Sequence, residues 1–156
     1  MLKKIIKKIF LIRQLYFKKI NKDFYSQFGE DKILKELILD NFNNGFYVDV
    51  GCFHPKKHSN TYLLYKKGWS GINIDMEQDK INLFNIARPQ DFNYFGAISD
   101  ISKKATVYRN QKYGVSSSIK SDHINKKDII DQSSIQTTTL NNVLANSPFE
   151  GKKIDL

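Results

Sequence analysis

Three residues carry the chemistry that this sequence offers most directly: Asp49, Gly51 and Asp75. Asp49 and Gly51 lie in Gly45-Phe46-Tyr47-Val48-Asp49-Val50-Gly51-Cys52-Phe53-His54-Pro55, an apolar run that ends in an acid and a glycine. A glycine just past a strand lets the backbone turn sharply and lets a ligand come close. Asp49 can accept from an amine or hydroxyl held above the strand end, or it can cap the loop. Asp75 closes a second run, Gly71-Ile72-Asn73-Ile74-Asp75, 24 residues after Gly51. An acid at that place suits the adjacent hydroxyls of a ribose, which a carboxylate grips with two oxygens. The pair therefore points to a nucleoside cofactor.

Glycine content narrows the choice. A pyrophosphate needs several glycines so that it can reach a helix amino terminus. After Gly51 no second glycine follows nearby, which favours a compact cationic cofactor without phosphates, S-adenosylmethionine over NAD. No G-x-x-x-x-G-K-[ST] run is present, which excludes P-loop nucleotide hydrolysis. His54 can take a proton from a substrate hydroxyl as a general base, or it can order the loop before Pro55. His54 and His58 stand four apart around Pro55, and His123 is distant, so ligand spacing for a metal is missing. Ser59-Asn60-Thr61 either caps the next helix, or Ser59 and Asn60 face the cofactor. Cys52 reads as a small buried side chain. Trp69 reads as an anchor before the second strand. Tyr113 to Ser118 is a polar run that could close over a sugar-sized substrate.

These residues need elements to position them. Strands are predicted at 46–50, 71–75, 92–98 and 105–108, with helices at 61–67, 79–87 and near 139–144. An earlier helix enters at Ser26-Gln27-Phe28-Gly29-Glu30-Asp31, with Ile33, Leu34, Leu37 and Ile38 as its stripe. From Asn110 to Ser134 the periodicity fades, and the segment reads as a long loop. Gly151-Lys152-Lys153-Ile154-Asp155-Leu156 reads as the start of a further strand. The alternation implies an α/β fold with a mostly parallel sheet, helices on both faces, and a site at the carboxyl ends of the strands.

At 156 residues the chain is about one domain, and 40% hydrophobic content suffices for a packed core. The net charge of +9 is local: eight of the 25 lysines and arginines, and no acid, lie in residues 1–22. That leaves 17 basic against 16 acidic side chains in residues 23–156. The charge belongs to an arm, and a nucleic-acid partner is not expected for the domain. Leu2, Ile5, Ile6, Ile9, Ile12, Tyr16 and Ile20 recur near helical spacing in the arm. A basic amphipathic helix of this kind lies on an anionic membrane surface or an acidic partner, or packs its stripe on the domain. Its longest apolar run, Ile9-Phe10-Leu11-Ile12, is too short for a secretory signal or a spanning helix. A single cysteine excludes an internal disulfide and fits a reducing compartment. A cytoplasmic location is expected, with the membrane face as one place for the arm.

Five blocks occur in order: Tyr25-Ser26-Gln27-Phe28-Gly29-Glu30-Asp31, Gly45 to Pro55, Ser59-Asn60-Thr61, Gly68-Trp69-Ser70-Gly71-Ile72-Asn73-Ile74-Asp75 and Ala97-Ile98-Ser99-Asp100. The ordered set resembles the FkbM-type S-adenosylmethionine-dependent methyltransferase family from about Tyr25 onward. The resemblance implies a Rossmann-like class I methyltransferase sandwich over residues 23–156. It also implies O-methylation, often of a sugar or glycan-like hydroxyl. Asp49 and Gly51 match the cofactor loop, and Asp75 matches the ribose-binding acid. In the family the strand resembling Lys153 to Leu156 runs on into an acidic stretch and more strands. A domain shortened at its carboxyl end is therefore expected, with an exposed sheet edge. The alternative is an inactive methyltransferase-like domain that serves as a binding or partner module.

Overall fold

The computed structural model describes residues 2–17, 24–39, 44–110, 117–120 and 128–156. Three parallel strands, β1 (Phe46–Val50), β2 (Ser70–Asp75) and β3 (Phe92–Phe95), form the central sheet in the order β1-β2-β3. Alternation along each strand sends neighbouring side chains to opposite faces. Phe46, Val48, Ile72 and Ile74 meet Leu140, Val143 and Leu144 of α5 (Leu140–Ala145) on one face. Tyr47 goes to the other, against Leu64 of α3 (Tyr62–Lys66) and Trp69. A Cβ on Gly71 would overlap the Tyr47 ring and its backbone oxygen, so only glycine fits beneath that tyrosine.

The helix α4 (Gln78–Ala87) sets Ile81 and Phe84 against Cys52. On its outer side Leu83 takes Leu11 and Leu15 of α1 (Leu2–Phe17), and Lys7 reaches Asp79 at 2.6 Å. The last residues lie along the edge of β1 that β2 leaves free. Asp155 N–H donates to the Phe46 carbonyl at 2.9 Å, and Val48 N–H donates to the Leu156 carbonyl at 3.0 Å. The terminal residues thus flank β1 on the side away from β2 without forming a strand of their own.

A second, mixed sheet follows: β4 (Ala97–Ile98), β5 (Lys104–Arg109), β6 (Ser117–Ser118) and β7 (Asp131–Thr138), in the order β4-β7-β5-β6. It closes over Ala97, Val107 and Ile135, with Met76 packed against them. Thr139 caps α5, its hydroxyl accepting from Asn142 N–H at 3.2 Å.

Four sequence expectations change here. The strand at 92–98 is two pieces, because Gly96 donates its N–H to the Asp75 carbonyl at 3.1 Å and turns the chain into the second sheet. The loop expected over 110–134 contains β6 and the start of β7. β7 escaped notice because only Ile135 and Thr137 of its eight residues are buried. The helix after Ser26 runs as α2 (Glu30–Leu34) and on through a π-helical turn at Lys35–Leu39, but its expected stripe is not buried, since Ile33 and Leu37 face solvent. The arm docks through Leu11 and Leu15, and the expected stripe from Leu2 to Tyr16 remains exposed. Tyr113, His123, Ile20 and the lysines at 18, 19 and 22 lie outside the described residues.

Candidate functional site

β1 and β2 end side by side, with Val50 in register with Ile74. Gly51 follows at φ +85°, in the left-handed region that glycine enters without strain, and its N–H donates to the Ile74 carbonyl at 2.8 Å. A Cβ there would meet nothing within 4 Å, so the space above the turn is open. That space is a cleft of about 390 Å³, lined by Gln27, Gly51, Phe53, Lys57, His58, Asp75, Met76, Lys80 and Ser117. Ligand sites of ordinary size begin at about 300 Å³.

Asp75 forms the floor. One carboxylate oxygen accepts from Glu77 N–H at 2.8 Å and the other from Lys80 Nζ at 3.1 Å. Each oxygen keeps a second lone pair for a ligand hydroxyl. Burial raises the Asp75 pKa, against the pull of the Lys80 charge and the Glu77 amide. The second sheet is fastened to this end of β2: Arg109 pairs with Glu77 at 2.5 Å, and the Ser117 hydroxyl donates to the same glutamate at 2.8 Å.

Asp49, His54, Ser59 and Asn60 are not among the residues that line the cleft. Asp49 accepts from the Thr61 hydroxyl at 2.9 Å, and its pKa is raised by burial. Ser59 is buried and accepts from Arg88 at 2.7 Å, while Asn60 is exposed beside it. Of the three candidate cap residues Thr61 takes the N-cap position of α3, but its hydroxyl goes to Asp49 and makes no cap bond. His54 is buried, and its Nδ1 accepts from the N–H groups of Lys56 and Lys57 at 3.1 and 3.0 Å. Of its two sequence readings, the one that orders the loop describes this placement. His54 does not line the cleft; His58 does, held at φ +52° with its ring edge-on to Phe53. Burial pushes the Cys52 thiol up, and the charges of Asp49 and Asp75 add to the effect, so it stays protonated and is no nucleophile.

Arg88 holds this loop, and the sequence reading passed over it. Fully buried, it donates to the Pro55 carbonyl, Ser59, Thr61 and Tyr47, and its guanidinium lies over the Phe84, Tyr62 and Tyr65 rings. Tyr47 in turn donates to Asp91, which also accepts from Gly71 N–H at 3.0 Å and Asn73 at 2.9 Å. One cation thus ties the loop after β1 to the floor of the sheet. A lone arginine before Pro89 gives no sign of this in the sequence. Lys80 left a usable clue: a helix that starts three residues after a strand-end acid sets its first turn beside that acid.

Among the described residues no three histidine, cysteine or acidic side chains gather as a metal site. No helix among them is long and apolar enough to cross a membrane. Compared with known proteins, the chain matches no family profile, no curated protein and no solved structure.

Proposed function

We propose that this domain is a Rossmann-like, S-adenosylmethionine-dependent methyltransferase acting on a hydroxyl of a sugar or glycan-like acceptor. One observation carries the reading: Gly51 and Asp75 share a single cleft at the ends of adjacent parallel strands. The cleft composition fits the cofactor. Asp75 offers its free lone pairs to the ribose hydroxyls, Phe53 and Met76 give apolar walls for a base, and Lys57 offers a cation to a carboxylate. Gly51 keeps the approach open. Asp49, Ser59 and Thr61 act one layer back, through the Arg88 network that shapes the loop.

The cofactor would supply an activated methyl group on a positively charged sulfur. The chain has two tasks: to hold the acceptor oxygen in line with that group, and to receive the hydroxyl proton. His58 is the histidine placed on the cleft wall for the second task. This revises the sequence assignment of that role to His54, whose Nδ1 is engaged by two backbone N–H groups.

Calorimetric titration with S-adenosylmethionine tests the reading. Saturable binding that Asp75→Ala abolishes is the expected result, with turnover of hydroxyl acceptors lowered by His58→Ala at unchanged cofactor affinity. A chain that keeps its buried Trp69 emission yet binds nothing would end the cofactor assignment. Binding without turnover of any acceptor would leave a binding module in place of an enzyme.

A further inference from the structure

The helix α1 is docked on the domain by the side opposite to its apolar face. Successive helix residues turn by about 100°, which sets Leu11 and Leu15 across the helix from Leu2 and Ile9. Leu11 and Leu15 are 6% and 2% exposed, against Leu83 of α4. Leu2, Ile5, Ile6, Ile9, Ile12 and Tyr16 are 37% to 70% exposed. Phe10 widens the same face at 51%. A surface helix ordinarily spends such a face on the core, and an apolar stripe of this size in water marks an interaction surface.

Charge decides what fits it. Lys3 and Lys8 fall at the two borders of the face, and the segment contains no acid. Lys7 holds the domain side through Asp79, and Lys56 sets its ammonium 4.5 Å from the centre of the Tyr16 ring at the far end. Aliphatic side chains over most of the face, with Lys3 and Lys8 at its rim and Arg13 within it near the carboxyl end, match an anionic bilayer: the apolar chains enter the acyl boundary and the long cationic ones reach the headgroups. A second copy of the helix would bring like-charged rims together. A nucleic acid would need a row of cations along the centre of the face, where Arg13 is the single cation among apolar residues.

We infer that α1 is a membrane-docking helix that lays Leu2, Ile6 and Ile9 into an anionic lipid surface while Leu11 and Leu15 keep it fixed to α4.

Co-sedimentation of the full chain with vesicles tests this, comparing phosphatidylcholine alone with a phosphatidylcholine–phosphatidylglycerol mixture. The chain is expected to pellet with the anionic vesicles only. Lys3→Gln and Lys8→Gln should each weaken partitioning about fivefold. Ile6→Asp with Ile9→Asp should abolish it while the Trp69 emission stays that of the folded chain. Equal pelleting on neutral and anionic vesicles, or none on either, overturns the inference. So does a dimer in sedimentation velocity that Ile9→Asp dissociates, since the face would then belong to a second copy.

Discussion

Replacing Arg88 by methionine should loosen the cleft from behind while leaving its walls unchanged. Methionine keeps most of the apolar contact with Phe84, Tyr62 and Tyr65 but removes the cation and all its donors. The Pro55 carbonyl then loses its guanidinium donors, which stand at 2.8 and 2.5 Å, and the Ser59 and Thr61 hydroxyls lose donors at 2.7 and 2.9 Å. A hydrogen bond from a charged donor is worth about 1.5–3 kcal/mol, and such bonds do not add. Removing the charge also leaves Asp49 and Asp91 buried without the positive field that lowers their pKa. Breaking a buried charge arrangement from one side costs about 3–5 kcal/mol, and that range is the prediction. In a chain of this size it corresponds to a fall of roughly 6–20 °C in Tm. Urea unfolding followed by Trp69 emission reads it, because Trp69 is the one tryptophan and sits in the buried cluster with Tyr47 and Leu64. The sign with pH is a second check. Without Arg88, both aspartates rise further above their unfolded pKa, so the variant should regain stability as pH falls and they take up protons. A loss below about 1 kcal/mol, or a loss that does not shrink on acidification, would refute the role given to this arginine.

Asp75 has a folded pKa raised above its ordinary value of 3.8 by burial. If its ionised form grips ribose hydroxyls, cofactor affinity is full above that raised pKa and is lost as pH falls through it. Calorimetry across the acid range should show the midpoint above 3.8, and Asp75→Asn should bind weakly throughout. Gly71→Ala should destabilise by about 3 kcal/mol or more, an overpacking cost at the top of its usual range, because the new Cβ overlaps Tyr47. Gly51→Ala meets no atom and should cost only the backbone strain, about 1–2 kcal/mol, with a larger loss of ligand affinity. Thermal melts of the two variants compare them directly. Thr139→Ala removes the cap of α5 and should cost about 1 kcal/mol, with the loss of helix at residues 140–145 visible in amide exchange.

The parts of this protein that can be read from its sequence are those whose cause is local. Phe46–Val50 and Ser70–Asp75 show as strands because apolar and β-branched residues recur there between turn residues. With both strands placed, Gly51 and Asp75 follow as neighbours at one end of a parallel sheet. Thr139 announces α5 by its hydroxyl alone, and lysines without acids announce a basic arm. The terminal segment reads as a strand start; its backbone bonds to β1 without forming a strand.

Tertiary structure decided the rest, since each remaining question concerns a partner far along the chain. The strand β7 is polar almost throughout and exists through its ladder with β5, from Lys104 opposite Gln136 to Arg109 opposite Asp131. Which histidine faces the cleft is settled by two backbone N–H groups that hold His54 and by the left-handed turn that presents His58. Arg88 is an ordinary charged letter until the fold buries it and surrounds it with acceptors. For α1 the periodicity correctly shows an apolar face but not which face the domain will cover. That depends on Leu83 and Asp79 of α4, which offer a seat to Leu11, Leu15 and Lys7. Periodicity encodes the conformation of a segment; the surface it meets is set by residues dozens of positions away.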